Sequence, residues 1–188
     1  TLCEANNHAC QPFLRSYATV SGKADLCFWL MHEELGALAQ MHRDLEECFP
    51  PGTIDPVYSY LSVTELSEYQ PTVDDSKSSP INPEMQGWEV MAFYPINVRH
   101  SNSERPTSKY ARVVGRKYAD RISQMITAST GLDDWEWGVT LMAHQLDALK
   151  EIVSEMRFDE VSARYADFGQ FYINLRTQPE DLWEHLHL

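Results

Sequence analysis

The chain has 188 residues, with 15 lysines and arginines against 28 aspartates and glutamates, a formal net charge of −13 at pH 7. That excess of negative charge excludes partners held through phosphate, so neither nucleic acid nor an anionic membrane surface is expected. The hydrophobic share of 43% with five tryptophans is that of a globular chain with a buried core, and no apolar run approaches the roughly 20 residues of a membrane-spanning helix.

Residues 1–11 are polar and read as an arm. Phe13 to Val20 is strand-like, Ser21-Gly22-Lys23 is a turn, and Asp25 to Met31 is apolar enough for a buried strand. Leu35, Leu38, Ala39, Met41 and Leu45 then keep helical spacing up to Cys48, and Pro50-Pro51-Gly52 ends that helix. Cys27 and Cys48 fall in these apolar segments and read as reduced, buried thiols; Cys3 and Cys10 are free to pair, and no spacing decides it. Val57 to Thr64 reads as a strand. Ser67 to Gln86, with Pro71, Pro80 and Pro83, reads as a linker or surface loop.

Trp88 to Tyr94 predicts the next strand, stopped by Pro95, and Val98 to Thr107 an exposed loop. Ser108 to Asp120 predicts a cationic helix with Lys109, Arg112, Arg116 and Lys117, and Ile122 to Thr130 another strand. After the turn Thr130-Gly131-Leu132-Asp133-Asp134, the residues Trp135, Trp137, Val139 and Leu141 alternate with Glu136, Gly138, Thr140 and Met142. A period of two means a strand. From Gln145 the period lengthens: Leu146, Leu149, Val153 and Met156 form one stripe, with Asp147, Lys150, Glu151 and Glu155 outward. Phe171-Tyr172-Ile173 predicts a closing strand.

The halves match each other. LMHEELGAL from Leu30 superposes on LMAHQLDAL from Leu141, with five identities in nine positions and the same order of turn, strand and helix around them. The expected fold is α+β: two ferredoxin-like β-α-β repeats, spanning 12–69 and 87–176 and joined by a linker at 70–86. Such repeats can close their free sheet edges against each other as a dimeric α+β barrel within one chain.

At AFYP (Ala92 to Pro95), at GRKYADRISQMITASTGLDDWEWGVTL and at EMRFDEVSARYADFGQFYI the sequence resembles the chlorite dismutase superfamily, and within it the coproheme decarboxylase branch and its plastid-type relatives. The resemblance covers most of the chain beyond residue 12. It implies a ring-shaped homopentamer and a tetrapyrrole, heme b or iron coproporphyrin III, in the C-terminal half, with cytoplasm or plastid stroma as the compartment. It implies that Tyr94 is the tyrosine whose radical starts peroxide-driven decarboxylation of coproheme. Gln124 matches the distal glutamine where chlorite dismutases carry arginine. Trp137 matches a tryptophan near the ring, and Arg157 and Ser162 match residues that hold propionates. The residue types suit these roles, since arginine and a hydroxyl bind carboxylates by charge-assisted hydrogen bonds. Each also has a plainer reading: Tyr94 as a strand-end aromatic, Arg157 as a partner of Asp159 or Glu160.

Two departures from the family pattern stand out. The proximal histidine of the family falls at Ala111, or at Tyr110 with one inserted residue, and a family lysine falls at Val98 with Arg99 beside it. The stretch from Tyr94 to Gly115 is also shorter than in relatives. Three explanations follow: a member that lost iron ligation and became non-catalytic or tetrapyrrole-sensing, ligation by another group such as His100, or a ligand on a segment absent from this sequence. His32, His42 and His144 read as surface or partly buried side chains on or beside helices, and His185 and His187, in the terminal WEHLHL, read as lying on a tail within reach of a neighbouring subunit; none of the five reads as a metal ligand.

Overall fold

Two alternating strands followed by an amphipathic helix occur twice along the chain. The computed structural model describes residues 13–64, 88–98, 117–118 and 120–186. Its first set is β1 (Phe13–Thr19), β2 (Leu26–Met31) and α1 (Leu35–Glu47). After β3 (Val90–Val98), the second set is β4 (Ile122–Ala128), β5 (Trp137–Ala143) and α2 (Leu146–Arg157). A short helix α3 (Glu160–Tyr165), strands β6 (Ala166–Phe168) and β7 (Tyr172–Arg176), a 3-10 turn and α4 (Leu182–Leu186) follow. The α+β class expected is the one found. Leu26 and Trp137 open β2 and β5, Leu35 and Leu146 open α1 and α2, and both pairs are 111 residues apart, as Leu30 and Leu141 are in the sequence repeat.

The chain divides into two compact units, Thr1–Ser59 with Asn174–Leu188, and Tyr60–Ile173. In the first, β1 lies antiparallel to β2, from Phe13 opposite Met31 to Ala18 opposite Leu26, and to the end of β7, where Thr19 meets Asn174. Two buried hydroxyls there are paired, which offsets the cost of removing them from water: Thr19 Oγ1 donates to Asn174 Oδ1 at 2.8 Å, and Ser16 Oγ to the Thr177 carbonyl at 2.8 Å. Phe49 packs edge-on to Phe28 (6.2 Å) and against Trp183 of α4 (5.3 Å). The first four residues of the terminal WEHLHL, read as a tail, are thereby helical and docked, with Leu182 before them buried; His187 and Leu188 lie outside the described residues.

In the second unit β3 is flanked by β5 and β6, and β5 by β4, all antiparallel. One face of this sheet packs on α2, burying Val139, Leu141, Ile122 and Ala92 against Ala148, Leu149 and Ile152. The expected helical stripes hold except at their first residues, with Leu149 buried, Val153 and Met156 packed against the core, and Ala148 and Ile152 added to the buried face. Leu146 and Leu35, each the first residue of its helix, are 55% and 71% exposed, and the buried face centres on Ala148, Leu149 and Ile152 in α2 and on Met41 and Leu45 in α1. Asp147, Glu151 and Glu155 do face outward: Glu155 pairs with Lys117 (2.7 Å), and Glu151 and Asp147 with Arg121 (2.7 and 3.4 Å). Such solvent-exposed pairs are screened by water and salt and add little to stability.

Three expectations are corrected. Pro95 does not stop β3, which runs on to Val98. A proline breaks a strand only where its missing N–H is needed; here the ladder continues from Tyr94 opposite Val139 through Pro95 opposite Gly138 to Ile96 opposite Trp137, and the Pro95 carbonyl accepts from Gly169 N at 2.8 Å. Val57 to Thr64 is not a strand: it carries one isolated bridge, Val63 to Ala128, and leaves Val57, Leu61 and Val63 exposed. Its anchor is Tyr60, which lies so close to Gly138 that a Cβ there would fall 2.5 Å from the ring. Cys48, expected buried, is exposed with its thiol on the Asp44 carbonyl, and only Cys27 is partly covered. The linker at 70–86, Cys3 and Cys10, the loop after Val98 and nearly all of the helix expected at 108–120 lie outside the described residues.

The two thiols should differ in reactivity. Burial pushes the Cys27 thiol up to about 11, so near neutral pH it holds about a hundredfold less thiolate than an ordinary cysteine. Alkylation followed by peptide mass spectrometry should label Cys48 rapidly at pH 8 and Cys27 only after unfolding. Equal labelling rates in the folded protein would contradict the burial.

Candidate functional site

Residues directly opposite on antiparallel strands share a face, as do residues two apart along one strand. Beyond the fully covered row of Val90, Ala143 and Ile122, the register therefore places three further rows on the α2 side of the second unit's sheet. Their members are Ala92, Tyr94 and Ile96 on β3, Leu141, Val139 and Trp137 on β5, and Gln124, Ile126 and Ala128 on β4. Three of the residues expected to form a site, Tyr94, Gln124 and Trp137, thus lie on one surface. Strands β3 and β4 are two strand spacings apart, roughly 10 Å. The patch is covered along β5, where Leu141 and Val139 lie under α2, and open along the neighbouring β4, where Gln124 is exposed and Ile126 is 48% exposed, and toward Trp137, which is half-buried.

Tyr94 is buried, 2% exposed, inside an aromatic group contributed by the chain after α3. Its ring stacks on Phe171 at 4.3 Å and 21° and lies 5.9 Å from Phe168, and those two phenyl rings are within 19° of parallel. Burial pushes the Tyr94 phenol well above the usual tyrosine range, an effect partly offset by the positive charge of Arg157. Arg157 is the last residue of α2 and its guanidinium stands over Phe168 at 4.9 Å and Phe171 at 5.9 Å, within cation–π range. It makes no ion pair with Asp159 or with any other residue whose side chain is described, and its own side chain is exposed.

Two local devices hold this group. Asp159 caps α3: its carboxylate accepts from Ser162 N at 3.1 Å and from Ser162 Oγ at 3.3 Å. Ser162, expected to contact a carboxylate, is thus engaged by the protein's own. Gly169 lets the chain between β6 and β7 close over β3, since a Cβ at that position would fall 2.6 Å from Pro95 and 2.9 Å from Trp135. That close approach sets Phe168 and Phe171 beside Tyr94. Sequence reasoning assigned neither phenylalanine a role. The available signal was ADFGQFY, a glycine flanked by two aromatics in a block already singled out.

Arg99, His100, Tyr110 and Ala111 lie outside the described residues, and Val98 donates its N–H to Glu136 at 3.2 Å. His144 lies against Trp88 with ring centroids 5.0 Å apart and planes tilted by 39°, and His32 Nδ1 accepts from Glu34 N at the start of α1. Among the described residues no group of three or more His, Cys, Asp or Glu is placed to hold a metal ion, and no described helix is long and apolar enough to cross a membrane.

A surface of this kind, a mostly apolar sheet face with a neutral amide, a buried phenol and an exposed guanidinium, suits a flat apolar ligand bearing carboxylates. The comparisons with known proteins bear on which one. The chlorite dismutase family model matches residues 2–177. The chain is 36% identical over 189 aligned residues to the coproheme decarboxylase of Oceanobacillus iheyensis, covering 92% of this chain and 76% of that protein. Among solved structures it is similar to a heme-binding protein from Thermus thermophilus, with a TM-score of 0.79 at 32% identity over 99% of this chain and 81% of that one. It is also similar to a chlorite dismutase from Candidatus Nitrospira defluvii in complex with imidazole, with a TM-score of 0.69 at 17% identity over 100% and 82%. The last likeness speaks to fold alone.

Proposed function

Because the chain belongs to the chlorite dismutase family, we propose that it binds heme b or iron coproporphyrin III on the α2-side face of the sheet, in the half spanning 87–176, and acts as a peroxide-dependent coproheme decarboxylase. The observation that carries this is Tyr94, a buried phenol beside Arg157 on the face that also bears Gln124 and Trp137, in a chain 36% identical to a coproheme decarboxylase. Trp137 and Ile126 would offer flat and apolar contact to a ring. Gln124 can hydrogen-bond at its rim without adding charge, and Arg157 can take a carboxylate through a charge-assisted bond. Arg99 is proposed as a further carboxylate contact, and a homopentamer as the assembly.

A bound iron porphyrin would supply the oxidising equivalents delivered by peroxide. Burial keeps the Tyr94 phenol protonated through the physiological range. It can therefore be oxidised only by giving up its proton together with an electron. The described residues fit the ring and its carboxylates. None of the residues named on this face is a histidine or a cysteine, so ligation by the protein would fall to the region of His100, Tyr110 and Ala111. The lack of histidine at 110–111 favours the alternative reading, a tetrapyrrole-sensing member without catalysis.

One titration separates the readings. Adding iron coproporphyrin III to the pure protein should shift and sharpen its Soret band at one equivalent per chain. Peroxide should then remove two carboxyl groups in sequence, read by mass spectrometry. No spectral change would overturn the proposal; binding without conversion would select the sensing role.

A further inference from the structure

We propose that Phe171, with Phe168, is a positioning residue for Tyr94, and that Arg157 is the latch on that pair, resting on the two phenyl faces until a substrate carboxylate draws it away. The inference rests on the tetrapyrrole reading above, and the latch couples arrival of substrate to the surroundings of the redox phenol.

The three rings and the guanidinium form one contiguous cluster. Tyr94 lies on Phe171 at 4.3 Å, Phe168 is 5.9 Å from Tyr94, and Arg157 covers Phe168 at 4.9 Å and Phe171 at 5.9 Å. Near-parallel stacking constrains the tilt of the Tyr94 ring, so its hydroxyl keeps one direction. The rings are themselves held, because β6 is paired to β3 at Ile96 opposite Phe168 and Gly169 is pinned against Pro95. Arg157 is the movable member: it ends α2, its side chain is exposed, and it has no carboxylate partner among the residues whose side chains are described. A charge-assisted hydrogen bond to a carboxylate is stronger than a cation–π contact at an exposed site, so an arriving carboxylate wins the guanidinium. Its departure removes the positive charge that partly offsets burial at the phenol, and it frees one face of the phenyl pair.

The test uses the full chain labelled with 3-fluorotyrosine, the Tyr94 19F resonance being the one lost in Tyr94→Phe. Phe171→Leu, which keeps bulk and removes the stack, should move that resonance without any ligand. It should also lower kcat about tenfold, the upper worth of one aromatic pair, with unchanged affinity for metal-free coproporphyrin III. Phe171→Trp should restore both. For the latch, metal-free coproporphyrin III is compared with its tetramethyl ester, which has the same ring and no free carboxylate. The acid should perturb the Tyr94 resonance more than the ester does, and Arg157→Gln should erase that difference. A Tyr94 signal indifferent to Phe171→Leu in folded protein overturns the positioning role. If acid and ester bind and act alike, the latch falls while the functional reading stands; if neither binds, that reading falls and takes the latch with it.

Discussion

Tyr94→Phe is expected to slow peroxide-driven removal of carboxyl groups by on the order of 10²–10⁴-fold, the range for losing a positioned proton-transferring group, with tetrapyrrole affinity unchanged. The phenyl ring retained by this substitution keeps the stack on Phe171 and the fill of a site that is 2% exposed, so only the hydroxyl is lost. The same variant carries a stability signature. Burial raises the Tyr94 phenol above its unfolded value of about 10. The stability contributed by keeping it neutral is fully present below that value and is lost as pH rises from there toward the folded value. Wild type should accordingly lose more thermal stability than Tyr94→Phe when pH is raised past about 10. Stopped-flow and product analysis check the first expectation, and melting curves across alkaline pH check the second. Full activity in Tyr94→Phe would remove Tyr94 from the chemistry, and parallel melting curves would contradict its burial.

Leu141→Ala should be among the most damaging core substitutions. Its side chain is 0% exposed, opposite Ala92 and Gln124 on neighbouring strands and packed in the core with α2. Truncating such a leucine costs roughly 2–5 kcal/mol through lost transfer energy and a residual cavity. At about 2–4 °C per kcal/mol for a chain of this size, the melting point should fall by roughly 5–20 °C. Leu30, its counterpart in the first repeat, is only half-buried, and Leu30→Ala should cost less than half as much. Calorimetry of the two variants side by side decides it, and equal losses would mean that the two repeats bury their matched leucines alike.

That pair also shows how far the chain could be read without coordinates. The period of two in Trp137 to Leu141, the longer period from Leu146 and the 111-residue repeat located β5, α2 and their first-half equivalents to within a residue or two. Register was not legible. In the first hairpin Leu30 stands opposite Leu14; in the second Leu141 stands opposite Gln124, not opposite Met125, which the repeat aligns with Leu14. The shift of one residue is made in the turn, where Ser129 N donates to the Glu136 carbonyl at 2.8 Å and Leu132 N to the Ser129 carbonyl at 2.8 Å. One residue of slip exchanges the two faces of a strand, and it is this slip that puts Gln124, rather than Met125, on the face shared with Tyr94.

The site divides along the same line. Tyr94, Gln124, Trp137 and Arg157 were legible as candidates from the motifs around them. Ser162 was named for a ligand, and the structure gives its hydroxyl to Asp159, three residues away. Phe171 could not be connected to Tyr94, because the contact joins β3 to the chain after β6 and depends on Gly169 closing against Pro95. The sequence by itself determined the strands and helix of each repeat, the repeat and the family, since periodicity, turn residues and motifs are properties of neighbouring positions. Only the tertiary structure decided which face each candidate occupies and which rings enclose the phenol, because strand register and ring stacking are set by turn geometry and by packing between distant segments.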